Sequence, residues 1–175
     1  MLLDLINFEK LRRVLLHLAV ILVVLGLQTL LFSHIHILGV APMFVPAVVV
    51  AIGLFEGGVW GGTLGLVTGV LCGLRYSGDV VLFAVLFAVI GFLAGLLSQF
   101  YVNRRFFSYY VLCVAAFVLT AFCQLFPLLA FYGAEPFALL RTGLLQVIWS
   151  LPFPFLIYFP VKNIVQRSRT DRHAR

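Results

Sequence analysis

Apolar residues run along this chain in long stretches broken by short polar or charged punctuation. The stretches predict helical spans at about 14–32, 40–55, 58–74, 80–102, 107–132 and 139–161. A helix crossing the ~30 Å hydrocarbon layer of a bilayer needs ~20 residues, so the second and third are short. Little more than Glu56 and Gly57 separates them, which predicts either a tilted helix or a tight helical hairpin. From Gly57 into the third, glycine recurs at every fourth position, at Gly57, Gly61, Gly65, Gly69 and Gly73. Each costs roughly 1 kcal/mol against Ala in a soluble helix. In a bilayer the backbone must bond to itself, so the helix survives and the missing side chains become a groove for other helices. Four residues advance about 400°, so the groove drifts by roughly 40° per glycine and is expected to meet more than one neighbour. Pro152 and Pro154 each remove a backbone donor from the last stretch and predict a kink there.

Composition makes the medium explicit. Of 175 residues, 63% are hydrophobic and 10% charged, with a mean hydropathy of +1.16. A soluble domain has more polar surface than that. The expected fold is all-α, an integral membrane bundle of six transmembrane helices. Residues 1–13 form a cytoplasmic interfacial segment, 14–161 the membrane domain and 162–175 a basic cytoplasmic tail. The first stretch continues without a convincing cleavage site and reads as a retained span, not a signal peptide.

The net charge of +6 does not point to nucleic acid, because the basic residues sit at the ends of apolar stretches. With a cytoplasmic N-terminus, the inside receives Lys10, Arg12, Arg13, Arg104, Arg105, Lys162, Arg167, Arg169, Arg172 and Arg175. The outside receives Arg75 and Arg141. This bias predicts both termini in the cytoplasm, with the tail near anionic headgroups.

Polar residues inside spans report packing or a cavity. Under this topology Gln28, Thr120, Gln124, Thr142 and Gln146 fall at one depth, in the outer half, with Thr68 near them. They form either interhelical hydrogen bonds or a small polar pocket open to the outside. His17 reads as a packed or interfacial histidine, Glu56 lies in an inner loop, and no buried charge is expected, which argues against an ion-coupled pump. Cys72, Cys113 and Cys123 fit no metal or redox spacing and read as small hydrophobes. His34 and His36 have no companion ligand in the sequence. No nucleophile motif or phosphate loop occurs, so no enzyme activity, metal or cofactor is expected.

Several local patterns, taken in order, resemble the rod shape-determining MreD family. They are Gln28-Thr29-Leu30 followed by Gly39-Val40-Ala41-Pro42, then Glu56-Gly57 leading into Gly61, Gly65 and Gly69. Gly91-Phe92-Leu93-Ala94-Gly95 comes next, and Pro152-Phe153-Pro154 precedes the basic tail. Family members often carry an acid after the proline, where this chain has Met43, and an Asp at the end of the glycine-rich span, where it has Gly73.

The resemblance implies a non-enzymatic scaffold subunit of the bacterial cell-elongation machinery, multi-pass in the cytoplasmic membrane. Its implied partners are MreC, and in the wider complex MreB, RodA and a class B penicillin-binding protein, together with membrane lipids. Gly61, Gly65, Gly69, Gly91, Gly95, Gln28, Thr29 and Pro42 are the candidates for helix packing or partner contact. The family is also similar to the S components of energy-coupling factor vitamin transporters. That makes a substrate-binding S component the alternative, its site the outer polar cluster with Arg75, Tyr76, Tyr132, Glu135 and Arg141 nearby.

Overall fold

The computed structural model describes residues 8–32, 42–75, 80–100, 106–132 and 135–162. The described residues contain α1 (Phe8–Phe32), α2 (Val45–Glu56), α3 (Gly58–Arg75), α4 (Val80–Phe100), α5 (Phe106–Tyr132) and α6 (Pro136–Ser150). A short helix, α7 (Phe153–Lys162), continues the chain after α6. No strand occurs among them. The expected stretches therefore reappear as helices with shifted bounds, and the last appears as two helices, α6 and α7. α1 begins at Phe8, ahead of the expected start at residue 14. The second stretch becomes helical only at Val45, because Pro42 stands in the lead-in and Pro46 occupies the first turn, where a missing N–H costs nothing. His34, His36, Tyr76, Arg104, Arg105 and the tail from residue 163 lie outside the described residues, as do residues 1–7.

α2 is the hub. Its 12 residues rise only about 18 Å, yet every residue from Val45 to Phe55 is buried. α3, α4, α5 and α1 pack around it. Pro42, Met43 and Phe44 lead into it as buried, non-helical chain, which apolar surroundings tolerate only inside protein. Glycine is required where α2 ends. Gly57 takes φ 99°, a left-handed value that side chains resist, and its N–H donates to the Gly53 carbonyl at 2.9 Å while its own carbonyl accepts from Gly61 N–H at 2.8 Å. One residue thus closes α2 and opens α3.

α3 and α4 form the most intimate pair. Gly61 faces Gly91, Gly65 faces the backbone of Phe87, and Gly69 faces that of Phe83. Each step of four along α3 is matched by a step of four back along α4, so the glycine stripe meets one column of the antiparallel helix. A β-carbon at Gly61 would also stand 2.6 Å from the Gly53 Cα, and one at Gly65 would lie 3.1 Å from Val49 Cγ1. The stripe therefore touches α2 as well as α4.

The two proline residues bend the last segment. α6 and α7 meet at 45°. Pro152 has no N–H to offer the Ile148 carbonyl, and Leu151 N–H takes it at 3.3 Å in a tighter turn. α7 then docks through aromatic rings. Tyr158 lies with its ring centroid 5.5 Å from Phe55, 5.2 Å from Phe106 and 5.3 Å from Tyr109, and Lys162 Nζ stands 5.5 Å above it.

By length and composition, Val80–Gln99 and Phe106–Leu129 are each able to cross a membrane, and the bent pair α6–α7 passes the same test taken together. The stretches Val14–Leu30, Val45–Glu56 and Gly58–Leu74 are apolar but shorter.

Candidate functional site

Two polar constellations interrupt the apolar interior, one at each end of α2. At its start, Met43 is held at two atoms. Its backbone N–H donates to Ser150 Oγ at 3.0 Å, and its Sδ accepts from Gln124 Nε2 at 2.9 Å. Ser150 Oγ donates in turn to the Gln146 carbonyl at 2.7 Å. The Gln146 amide donates to Gln124 Oε1 at 3.3 Å. These bonds close a circuit through the α2 lead-in, α5 and α6. Such a circuit satisfies groups that would otherwise be costly inside a membrane protein.

Thr120 completes the wall. It is 2% exposed and spends its hydroxyl proton on the Ala116 carbonyl at 2.7 Å. Thr120, Gln146 and Ser150, with Met43, Pro46, Phe117, Ala121 and Val147, line a small hollow of about 10 Å³. That is room for about one water molecule.

Of the five residues expected to share one depth, the fold joins Thr120, Gln124 and Gln146. Thr142 stands apart, exposed on α6 and bonded to the Ala138 carbonyl at 2.9 Å. Gln28 is buried on α1, a helix that packs on α2 and α3, and Thr29 beside it is half-buried. Thr68 is buried in α3, donating to the Leu64 carbonyl at 2.7 Å. Ser150 and Met43 were not among the sequence candidates. Ser150 was legible in principle, since Gly143, Gln146 and Ser150 follow i, i+3, i+7 spacing on one helical face.

At the other end of α2, Glu56 is not a loop residue. It is the last residue of α2, and its Oε1 lies 3.5 Å from His17 Nε2 on α1, with side chains 6% and 2% exposed. Two ionisable side chains are thus buried together where none was expected, because α1 packs against the α2 terminus. The same end gathers Gly57 beside Gln99 of α4 and the Phe55, Phe106 and Tyr158 rings. The first half of α1, the starts of α3 and α5 and the ends of α2, α4 and α7 therefore lie together.

The glycine candidates have internal roles. Gly61, Gly65, Gly69, Gly91 and Gly95 are all buried, and a β-carbon on any of them would meet backbone of a neighbouring helix within 3.0 Å. Pro42 is buried beside the polar circuit. Glu135 and Arg141 are exposed, whereas Tyr76 and the side chains of Arg75 and Tyr132 lie outside the described residues. Among the described residues no three His, Cys, Asp or Glu side chains converge as metal ligands would.

No family model, curated protein or solved structure matches this chain. Among the described residues the geometry is helical throughout its regular structure, with apolar helices of membrane-spanning length built around a short central helix and sealed by glycine contacts.

Proposed function

We propose that this chain is a six-span, non-enzymatic scaffold of the bacterial cytoplasmic membrane, with both termini in the cytoplasm. In this reading it serves the cell-elongation complex in the manner of MreD. MreC is its direct partner, and MreB, RodA and a class B penicillin-binding protein belong to the wider assembly.

The observation that carries this reading is how α2, α3 and α4 close. Glycines that could have opened a groove to a ligand or an outside helix are consumed in contacts between these three helices, which makes a stiff unit suited to presenting its outer faces. The order of sequence motifs supports the family resemblance. The proposed topology is supported by Lys162, which closes α7 near the end of α2, and by Lys10, Arg12 and Arg13, which precede His17 along α1.

The alternative, a vitamin-binding S component, would use the polar cluster as its site. That cluster is bonded to itself and leaves room for about one water, whereas small-molecule pockets run to about 300 Å³ and more.

Depletion in the native host separates the two. Loss of rod shape that vitamin supplementation leaves unchanged supports the scaffold. A growth defect relieved by a vitamin, with shape preserved, supports the S component.

A further inference from the structure

Among the described residues, α6 packs on the other helices through one side. It contacts the rest of the described chain mainly through α5, and the side that does so carries Gly143 against Leu125, Gln146 against Gln124 and Ser150 against Met43. At about 100° per residue, Arg141 lies roughly 180° round the helix from that side. Its neighbours on the outward stripe are Phe137, Leu140, Leu144 and Ile148, which are 81%, 62%, 55% and 58% exposed. Arg141 is itself exposed and has no ion-pair partner among the described residues.

A cation on an apolar, membrane-facing stripe is costly unless it reaches the headgroups or finds an anion. Geometry favours the headgroups. Helical side chains lean toward the N-terminus of their helix, and Arg141 follows Pro136 by a rise of about 7.5 Å. A long side chain that snorkels back along that rise brings its guanidinium level with the start of α6, where the α6–α7 span begins. Glu135, the nearest carboxylate in sequence, is six positions earlier and displaced by about 120° round the axis, away from the stripe.

We propose that Arg141 and the Phe137, Leu140 and Leu144 stripe form a binding site for one anionic phospholipid. The guanidinium takes the phosphate through paired N–H donors, and the acyl chains lie along the stripe. This inference requires insertion in a membrane but not the scaffold role, so the two stand or fall separately.

The test places a fluorophore at the stripe. In full-length protein carrying Leu140→Cys, with Cys72, Cys113 and Cys123 replaced by Ala, bimane at position 140 is quenched in phosphatidylcholine vesicles by brominated phosphatidylglycerol or, in parallel, by brominated phosphatidylcholine. The site predicts that phosphatidylglycerol is preferred by about fivefold, the scale of one surface cation acting on an anionic lipid. Arg141→Gln brings the ratio near one and Arg141→Lys retains part of it, and because the ratio is read within one protein, a lower yield does not alter it. Equal quenching by the two lipids without the Arg141 change, or a preference that survives Arg141→Gln, overturns the site. So does covalent capture of a protein, in place of lipid, by a photoreactive residue at position 140 in native membranes.

Discussion

The backbone N–H of Met43 donates to Ser150 Oγ at 3.0 Å across 107 positions of sequence. This bond ties the buried lead-in of α2 to the last residue of α6, just before the chain bends. Ser150 acts as both acceptor and donor, since its proton goes to the Gln146 carbonyl. Ser150→Ala removes both roles and strands a buried N–H. Interhelical hydrogen bonds in membrane proteins contribute about 0.6 kcal/mol on average, and an unsatisfied buried donor adds about 1 kcal/mol or more. Thermal unfolding in mild detergent is expected to show a loss of about 1–2 kcal/mol for Ser150→Ala and a smaller one for Ser150→Thr, which keeps the hydroxyl.

The glycine stripe predicts a sharp dependence on position. A β-carbon at Gly69 would lie 2.6 Å from Ala84 Cα and 2.7 Å from Phe83 C, both backbone atoms that cannot step aside. At Gly62 the nearest atom is Phe92 Cβ at 3.4 Å, and at Gly26 nothing lies within 4 Å. Gly69→Ala and Gly65→Ala should therefore push α3 off α4 at a cost of about 1–3 kcal/mol or more. Gly62→Ala and Gly26→Ala should be neutral to slightly stabilising. Melting temperatures of the four variants check this, and equal effects would mean that α3 and α4 do not pack as described.

His17 and Glu56 join α1 to the end of α2, and burial makes each dependent on the other. Truncating one partner of a buried pair is commonly worse than replacing both. A double-mutant cycle on His17→Leu and Glu56→Leu should accordingly show a coupling of about 0.5–3 kcal/mol. Additive losses would place the two side chains apart.

Tyr109 is fully buried and donates its hydroxyl proton to the Ala47 carbonyl at 3.2 Å. Tyr109→Phe should cost about 0.6 kcal/mol, the scale of one such bond. Tyr158→Leu should cost more, because that ring contacts Phe55, Phe106 and Tyr109 together. Cross-linking yield between cysteines on α7 and α5 should fall for Tyr158→Leu and hold for Tyr109→Phe.

Local rules made some of this legible and tertiary placement hid the rest. The glycine repeat announced a helix that others approach closely, and the Pro152-Phe153-Pro154 sequence announced the 45° bend, because both act on the backbone at their own position. The central place of α2 was not readable. Lipid and protein interior are equally apolar, so Val45–Phe55 looks like any other span although no residue of it is exposed. The pairing of His17 with Glu56 depends on α1 lying across α2, and neither residue carries a mark of the other. The polar residues show a shared depth but not which of them neighbouring helices cover: Thr142 and Gln146 stand four residues apart on adjoining positions of the α6 surface, yet Thr142 is exposed and Gln146 half-buried.

The proposed role in organising cell-elongation proteins is decided by crosslinking native membranes, purifying the chain in mild detergent and identifying by mass spectrometry what accompanies it. Recovery of MreC together with RodA and its penicillin-binding partner is the expected result. Recovery of a transporter transmembrane subunit with its ATPases would overturn the proposal.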